Sequence, residues 1–171
     1  SPIVEKMKAR FNLPIYIGND ANCAALGEAY AGVAKGCKDV VMITLGTGVG
    51  GGIIIDGKIY EGIDSAGAEL GHNVIEINGE QCNCGRKGCI EAYASATGLI
   101  RETKKVLSQT SNTIMHEMVG NDLEKVSGRT AFEAAKLGDK YAIQIVEKYI
   151  LYLGEFLVNL SNTFRPEVFI L

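Results

Sequence analysis

The spacing of apolar residues changes along the chain from helical to alternating and back, and each change marks an element. The first residues, "IVEKMKARF", begin inside an amphipathic pattern and read as the end of a helix, and Ile15 to Ile17 predict a short strand before Gly18-Asn19-Asp20. Leu26, Ala29, Tyr30 and Val33 then recur at i, i+3, i+4 and i+7, which predicts a helix with that face buried. "DVVMITLGT" (39–47) predicts a strand, and "GIIID" running through Asp56-Gly57 into "KIYEG" predicts a hairpin, because Asp-Gly accepts the positive φ of a tight turn. "HNVIEI" (72–77) predicts a further strand. Helical periodicity returns from Glu91 to Leu107, and 108–128 is polar without a clear period. A short helix is expected over 128–138 and a long one over 139–163, whose stripe of Ala142, Ile145, Val146, Tyr149, Ile150, Leu153, Phe156, Leu157 and Leu160 reads as core packing. The last residues, "RPEVFIL", form an apolar β-type run.

Strands grouped first, helices after them and one strand returning at the end predict an α/β layer domain. There is no internal repeat and no low-complexity tract. Because the pattern starts inside a helix and stops inside a strand, the chain is expected to be a fragment. At 171 residues and 47% hydrophobic it is long enough to bury a substantial core. A formal charge of −3, without a basic block, gives no electrostatic footprint for a nucleic-acid backbone, so no nucleic acid is expected to bind this chain. No stretch is apolar for long enough to span a membrane and "SPIVEKMKAR" lacks the plan of a signal peptide, so the expected location is cytoplasmic, with no membrane partner.

Three of the five cysteines and one of the two histidines fall within "HNVIEINGEQCNCGRKGC" (72–89). Thiolate and imidazole are preferred zinc ligands, and His72, Cys82, Cys84 and Cys89 supply four within one loop. Gly79, Gly85 and Gly88 permit the tight turns of such a knuckle, and Arg86-Lys87 offset thiolate charge. Four protein ligands leave no position for an activated water, so the metal would be structural. Incidental buried thiols or a redox pair are the competing readings.

"LGTGVGGG" (45–52) contains a literal Gly-x-Gly-x-x-Gly, but a strand and a turn follow it where a dinucleotide fingerprint needs a helix. Two readings remain: a phosphate clamp made of backbone N–H groups with Thr47, or a bulged hairpin whose glycines only permit close packing. Asp20, just ahead of a helix, reads by default as an N-cap.

Taken together, "NDANCAALGE" (19–28), "TLGTGVGGGIIIDGKIYEG" (44–62), "AELGH" (68–72) and "CNCGRKGCIE" (82–91) resemble the ROK (repressor, open reading frame, kinase) family of sugar kinases and sugar-responsive repressors. The likeness runs from Leu13 onward and is closest to the bacterial glucokinases of that family. It implies an actin-like, ribonuclease H-like ATPase fold, a mixed sheet with flanking helices and a zinc-binding loop. Residues 1–38 would belong to the small, sugar-binding lobe and 39–171 to the large lobe. It implies ATP-dependent phosphorylation of a hexose, glucose above all, with Mg²⁺ accompanying ATP, structural Zn²⁺, and a homodimer in the full-length protein.

Position by position, the resemblance makes Asp20 the general base, and Asn19, Glu69, His72 and Glu91 join it as sugar ligands. Gly46, Thr47, Gly48 and Gly50 match a phosphate loop. His72 would bind the metal through one ring nitrogen and face the sugar with the other. The alternative role for Glu91 is a carboxylate in the first turn of a helix. Where many relatives have glycine before the Glu-x-Gly-His motif this chain has Ala68, a small change that leaves Glu69, Gly71 and His72 intact. The family's Asp-x-Gly-Gly-Thr loop is missing and the adenosine-contacting segment would follow Leu171, so this piece alone is expected to show little or no phosphotransfer. A sugar-sensing repressor of the same family is the first rival, and a zinc-stabilised interaction module the second. The sequence leaves open which hexose is used and whether ATP or polyphosphate is the donor.

Overall fold

The computed structural model describes residues 2–171. Four strands form one mixed sheet in the order β3-β2-β1-β4. β1 (Val40–Leu45) and β2 (Val49–Ile55) pair antiparallel, with Leu45 opposite Val49, and β3 (Lys58–Ile59) continues the meander. Asp56 and Gly57 both take positive φ, 50° and 74°, as the Asp-Gly turn requires. β4 (Val168–Ile170) closes the sheet parallel to β1.

Alternation along β1 sorts its side chains to two faces. Val41 and Ile43 join Ile53, Leu70, Ile90 and two residues of the long helix α7 (Lys140–Phe164), Phe156 and Leu160, in one core cluster. Val40 points the other way, to Ile54, Ile170 and Ala25 of α2 (Asp20–Ala31). Helices therefore cover both faces of the sheet. A further cluster lies wholly among helices: Leu99 and Leu107 of α4 (Ala96–Gln109), Met115 of α5 (Met115–Met118), Ala131 and Ala134 of α6 (Thr130–Lys136), and Ala142 and Ile145 of α7. α1 (Pro2–Arg10) buries no residue. Among the described residues, no helix is long and apolar enough to cross a membrane.

Several expectations are corrected. Ile15–Ile17 forms no strand, since no described strand lies beside it to complete a ladder. α2 buries Ala21, Asn22 and Ala25, while Tyr30 is 72% and Val33 80% exposed. The sequence period was helical, but the contact face selects small residues because the helix lies directly on glycines of β2. Residues 72–77 are not a strand: the N–H groups of Ile75 and Glu76 both donate to the Gly88 carbonyl, so this segment folds onto its own loop and not onto the sheet. The helix expected over 91–107 is broken into α3 (Glu91–Ala94) and α4 at Ser95, which is extended and whose hydroxyl caps α4 by accepting from Gly98 N at 3.0 Å. On α7, Ile150 stands 56% exposed and leaves the core stripe.

Candidate functional site

At the start of α2 the cap is Asn19, whose Oδ1 accepts from Asn22 N at 3.1 Å. That displaces the default reading of Asp20. Asp20 is instead the first helical residue, exposed, with Oδ1 accepting only from the adjacent Ala21 N at 2.9 Å. A carboxylate there is favoured by the positive end of the helix dipole and keeps its second oxygen for another partner.

The glycines between Leu45 and Ile53 differ in what surrounds them. A Cβ on Gly52 would lie 2.6 Å from the Ala25 Cβ and 2.8 Å from the Ala21 carbonyl oxygen, and one on Gly51 would lie 2.5 Å from Leu70. β2 is thus squeezed between α2 and the Ala68–His72 segment, and for Gly51 and Gly52 the close-packing reading of the sequence is the right one. Gly46 meets nothing within 4 Å, so packing does not demand glycine there. The bend is tied from behind: Ala96 N donates to Gly46 O at 2.9 Å, Thr97 Oγ1 to Thr47 O at 2.7 Å, and Val49 N to Glu91 Oε2 at 3.1 Å.

Glu69 is exposed and precedes a 3-10 turn, Leu70–His72, pressed so closely on β2 that a Cβ on Gly71 would reach within 2.0 Å of the Val49 carbonyl oxygen. The loop that follows is held by backbone bonds: Cys82 N to Arg86 O at 2.9 Å, Gly85 N to Cys82 O at 3.1 Å and Gly88 N to Glu80 O at 2.8 Å. These turns gather His72, Cys82, Cys84 and Cys89 so that their ligand atoms all lie within 4.8 Å of one another. His72 Nδ1 is 3.7 Å from Cys82 Sγ, and Cys84 Sγ is 3.6 Å from Cys89 Sγ. The four can hold a metal ion. Burial pushes the Cys89 thiol up to about 12 and raises Cys82 as well, whereas a hydrogen bond from the Arg86 backbone N–H lowers Cys84. The two remaining cysteines, Cys23 and Cys37, stand apart as free thiols.

Asp20, Gly46, Thr47, Gly48, Gly50 and Glu91 line one open cleft of ≈ 470 Å³ together with Thr44. Thr47 and Glu91 also line a smaller cavity, of ≈ 60 Å³, with Cys82 and Arg101. Asn19, Glu69 and His72 do not line the cleft. Sequence reading missed the braces of the cysteine loop. Tyr93 Oη accepts from Glu80 N at 2.6 Å, Tyr152 Oη donates to Glu76 Oε2, and the two rings stack with centroids 4.3 Å apart. Tyr93 sits two residues after Glu91, which is a usable signal, whereas nothing in the sequence ties Tyr152 to this loop. His116, outside every motif, lies with Nε2 2.8 Å from Thr110 O and belongs to the helical region.

A mixed sheet sandwiched between helices, with a glycine bend opposite a helix-borne carboxylate, is the arrangement of the actin-like ATPase fold. The family model described as "ROK family" matches residues 1–171, and the chain belongs to that family. It is 36% identical to a glucokinase of Thermotoga maritima over 99% of this chain and 53% of that protein. It is 34% identical to a xylose repressor of Bacillus spizizenii over 96% of this chain and 39% of that protein. Its structure superposes with TM-score 0.86, at 36% identity and over 98% of this chain and 55% of the other, on a ROK family glucokinase from Streptomyces griseus in complex with glucose and AMPPNP. The chain spans about half the length of the glucokinases it matches.

Proposed function

We propose that the protein to which these residues belong transfers the γ-phosphoryl group of ATP to a hexose, with glucose giving glucose 6-phosphate as the favoured reaction. The observation that carries this reading is the shared cleft: the Asp20 carboxylate faces the same space as the Gly46–Gly50 bend. Asp20 takes the proton of the sugar's 6-hydroxyl as that oxygen bonds to the γ-phosphorus and the bond to the β-phosphate oxygen breaks. Backbone groups of Gly46, Gly48 and Gly50, with the Thr47 hydroxyl, orient the phosphates. Mg²⁺, when bound with ATP, supplies neutralisation of phosphate charge. Asn19, Glu69, His72 and Glu91 hold the remaining hydroxyls. Residues to about 38 are assigned to the smaller lobe and 39–171 to the larger, with the first turn of α2 facing the sugar and its buried side resting on the sheet.

The metal at the cysteine loop is proposed to be zinc. Tetrahedral zinc with Zn–S near 2.3 Å and Zn–N near 2.0 Å separates its ligand atoms by about 3.5–3.8 Å; the His72–Cys82 and Cys84–Cys89 spacings of 3.7 Å and 3.6 Å lie in that range, within a set of ligand atoms that reach up to 4.8 Å from one another. Nδ1 of His72 faces Cys82 and would ligate, leaving Nε2 for the sugar.

The test is phosphorylation of a panel of hexoses by the full-length protein with MgATP. Asp20→Asn is expected to lower kcat by about 10²–10⁴ with hexose binding retained, and an unchanged kcat would refute the assignment. The similarity to a xylose repressor supports a second reading, a sugar-responsive DNA-binding regulator. A helix-turn-helix segment ahead of these residues, operator binding released by sugar, and no turnover would establish it instead.

A further inference from the structure

Glu91 occupies an unusual place, since its carboxylate touches the glycine bend and also lines both cavities beside it. Oε2 accepts from the backbone N–H of Val49 at 3.1 Å, where the bend re-enters β2, and Oε1 lies 3.6 Å from Cys82 Sγ. The contact is tight from the other side as well. A Cβ on Gly48 would fall 2.4 Å from Glu91 Oε2 and 3.2 Å from its carboxyl carbon, and its three nearest neighbours all belong to the Glu91 side chain. Gly48 and Glu91 are therefore matched: the glycine is bare where the carboxylate lies, and the carboxylate takes up the one N–H that fixes the bend's exit. Val49 itself is buried, so its N–H needs a partner inside the protein.

We propose that Glu91 is a positioning residue for the phosphate loop as well as a sugar ligand, so that one side chain links the two substrates. This rests on the hexose-kinase reading above. A hydroxyl hydrogen-bonded to this carboxylate and the N–H of Val49 then share one acceptor, and displacing the side chain from either side disturbs both subsites. No such link follows from a glutamate that binds sugar alone, nor from a glycine that serves phosphate alone.

The experiment uses two substitutions approached from opposite sides in the full-length protein. For Glu91→Ala, binding of MgATP in the absence of sugar is expected to weaken about tenfold, the low end for losing a hydrogen bond to a charged group, together with a rise in sugar KM. Glu91→Gln, which keeps a carbonyl acceptor for Val49 N–H, is expected to recover most of the nucleotide binding but not the sugar KM. For Gly48→Ala the added methyl meets the flexible end of Glu91 first, so the fold is kept and the carboxylate moves. Sugar KM should then rise about tenfold by the same loss, although Gly48 belongs to the phosphate loop. If Glu91→Ala alters only sugar KM and Gly48→Ala leaves sugar KM unchanged, the link is wrong. If the wild-type protein phosphorylates no hexose, the kinase reading fails on its own, and the strut is judged separately by amide exchange at Val49. Faster exchange in Glu91→Ala than in wild type supports the strut, and equal exchange overturns it.

Discussion

The cysteine loop and the helical layer of α4 to α7 are neighbours held together in opposite ways. Between Asn73 and Cys89 only Cys82, Gly88 and Cys89 are buried, and the loop is tied by backbone bonds and two tyrosine braces around the four residues proposed to hold zinc. The helical layer rests on a continuous apolar cluster from Leu99 to Ile145. Side chains proposed to touch substrate sit at the start of α2, on or beside the first region and on the bend it abuts, not on the second. The loop with least hydrophobic support thus holds several of the proposed ligands, and the part with most supplies the frame.

That contrast can be broken at several points. Metal removal by chelation, or Cys82→Ser, is expected to have the largest effect, because the proposed zinc would contribute on the order of 10 kcal/mol. Metal content should fall and amide exchange should accelerate across 73–89 while α4–α7 remain protected. Equal acceleration in both regions would remove the distinction. Phe156→Ala, at a side chain 1% exposed in the core between α7 and the sheet, should cost about 3–5 kcal/mol in urea unfolding, with metal affinity unchanged in the folded protein.

Asp139 offers a smaller, pH-dependent test within the frame. Its Oδ1 accepts from Tyr141 N and Ala142 N and its Oδ2 from Ile114 N, all within 2.9–3.0 Å. Burial works against this carboxylate, but the bonds from Ala142, Thr113, Ile114 and Tyr141 outweigh it and hold its pKa below the usual value. A depressed pKa gives stability that is present above the unfolded value of about 3.9 and lost as pH falls through the folded one. Asp139→Ala should therefore cost about 1–2 kcal/mol at pH 7, and the gap from wild type should close below about pH 4. The smallest effect is expected at Ala68, whose φ of 61° is left-handed. Ala68→Gly should gain about 0.5–1 kcal/mol in thermal unfolding, since an L-residue pays in that region and glycine does not.

Much of the frame was legible because its periods are simple: β1, the Asp-Gly hairpin, α7 and the returning β4 follow from alternation, turn chemistry and a helical stripe. The face of α2 was not, because hydrophobicity points to Tyr30 and Val33 while the true contact is made by alanines against Gly52, a fit of sizes that needs both partners in view. Residues 72–77 alternate like a strand, yet their N–H groups are claimed by Gly88, a neighbour brought close only by the cysteine loop. The cluster of four ligand residues was readable from residue type and spacing. The contact of Glu91 with Val49 was not, since it joins positions 42 residues apart.

Gly51 and Gly52 leave β2 with a single thickness of backbone between α2 and the Ala68–His72 turn. With no side chain in between, the gap across β2 is set by backbone alone, so a methyl added at Gly51 would have to displace Leu70 and one at Gly52 would have to displace α2.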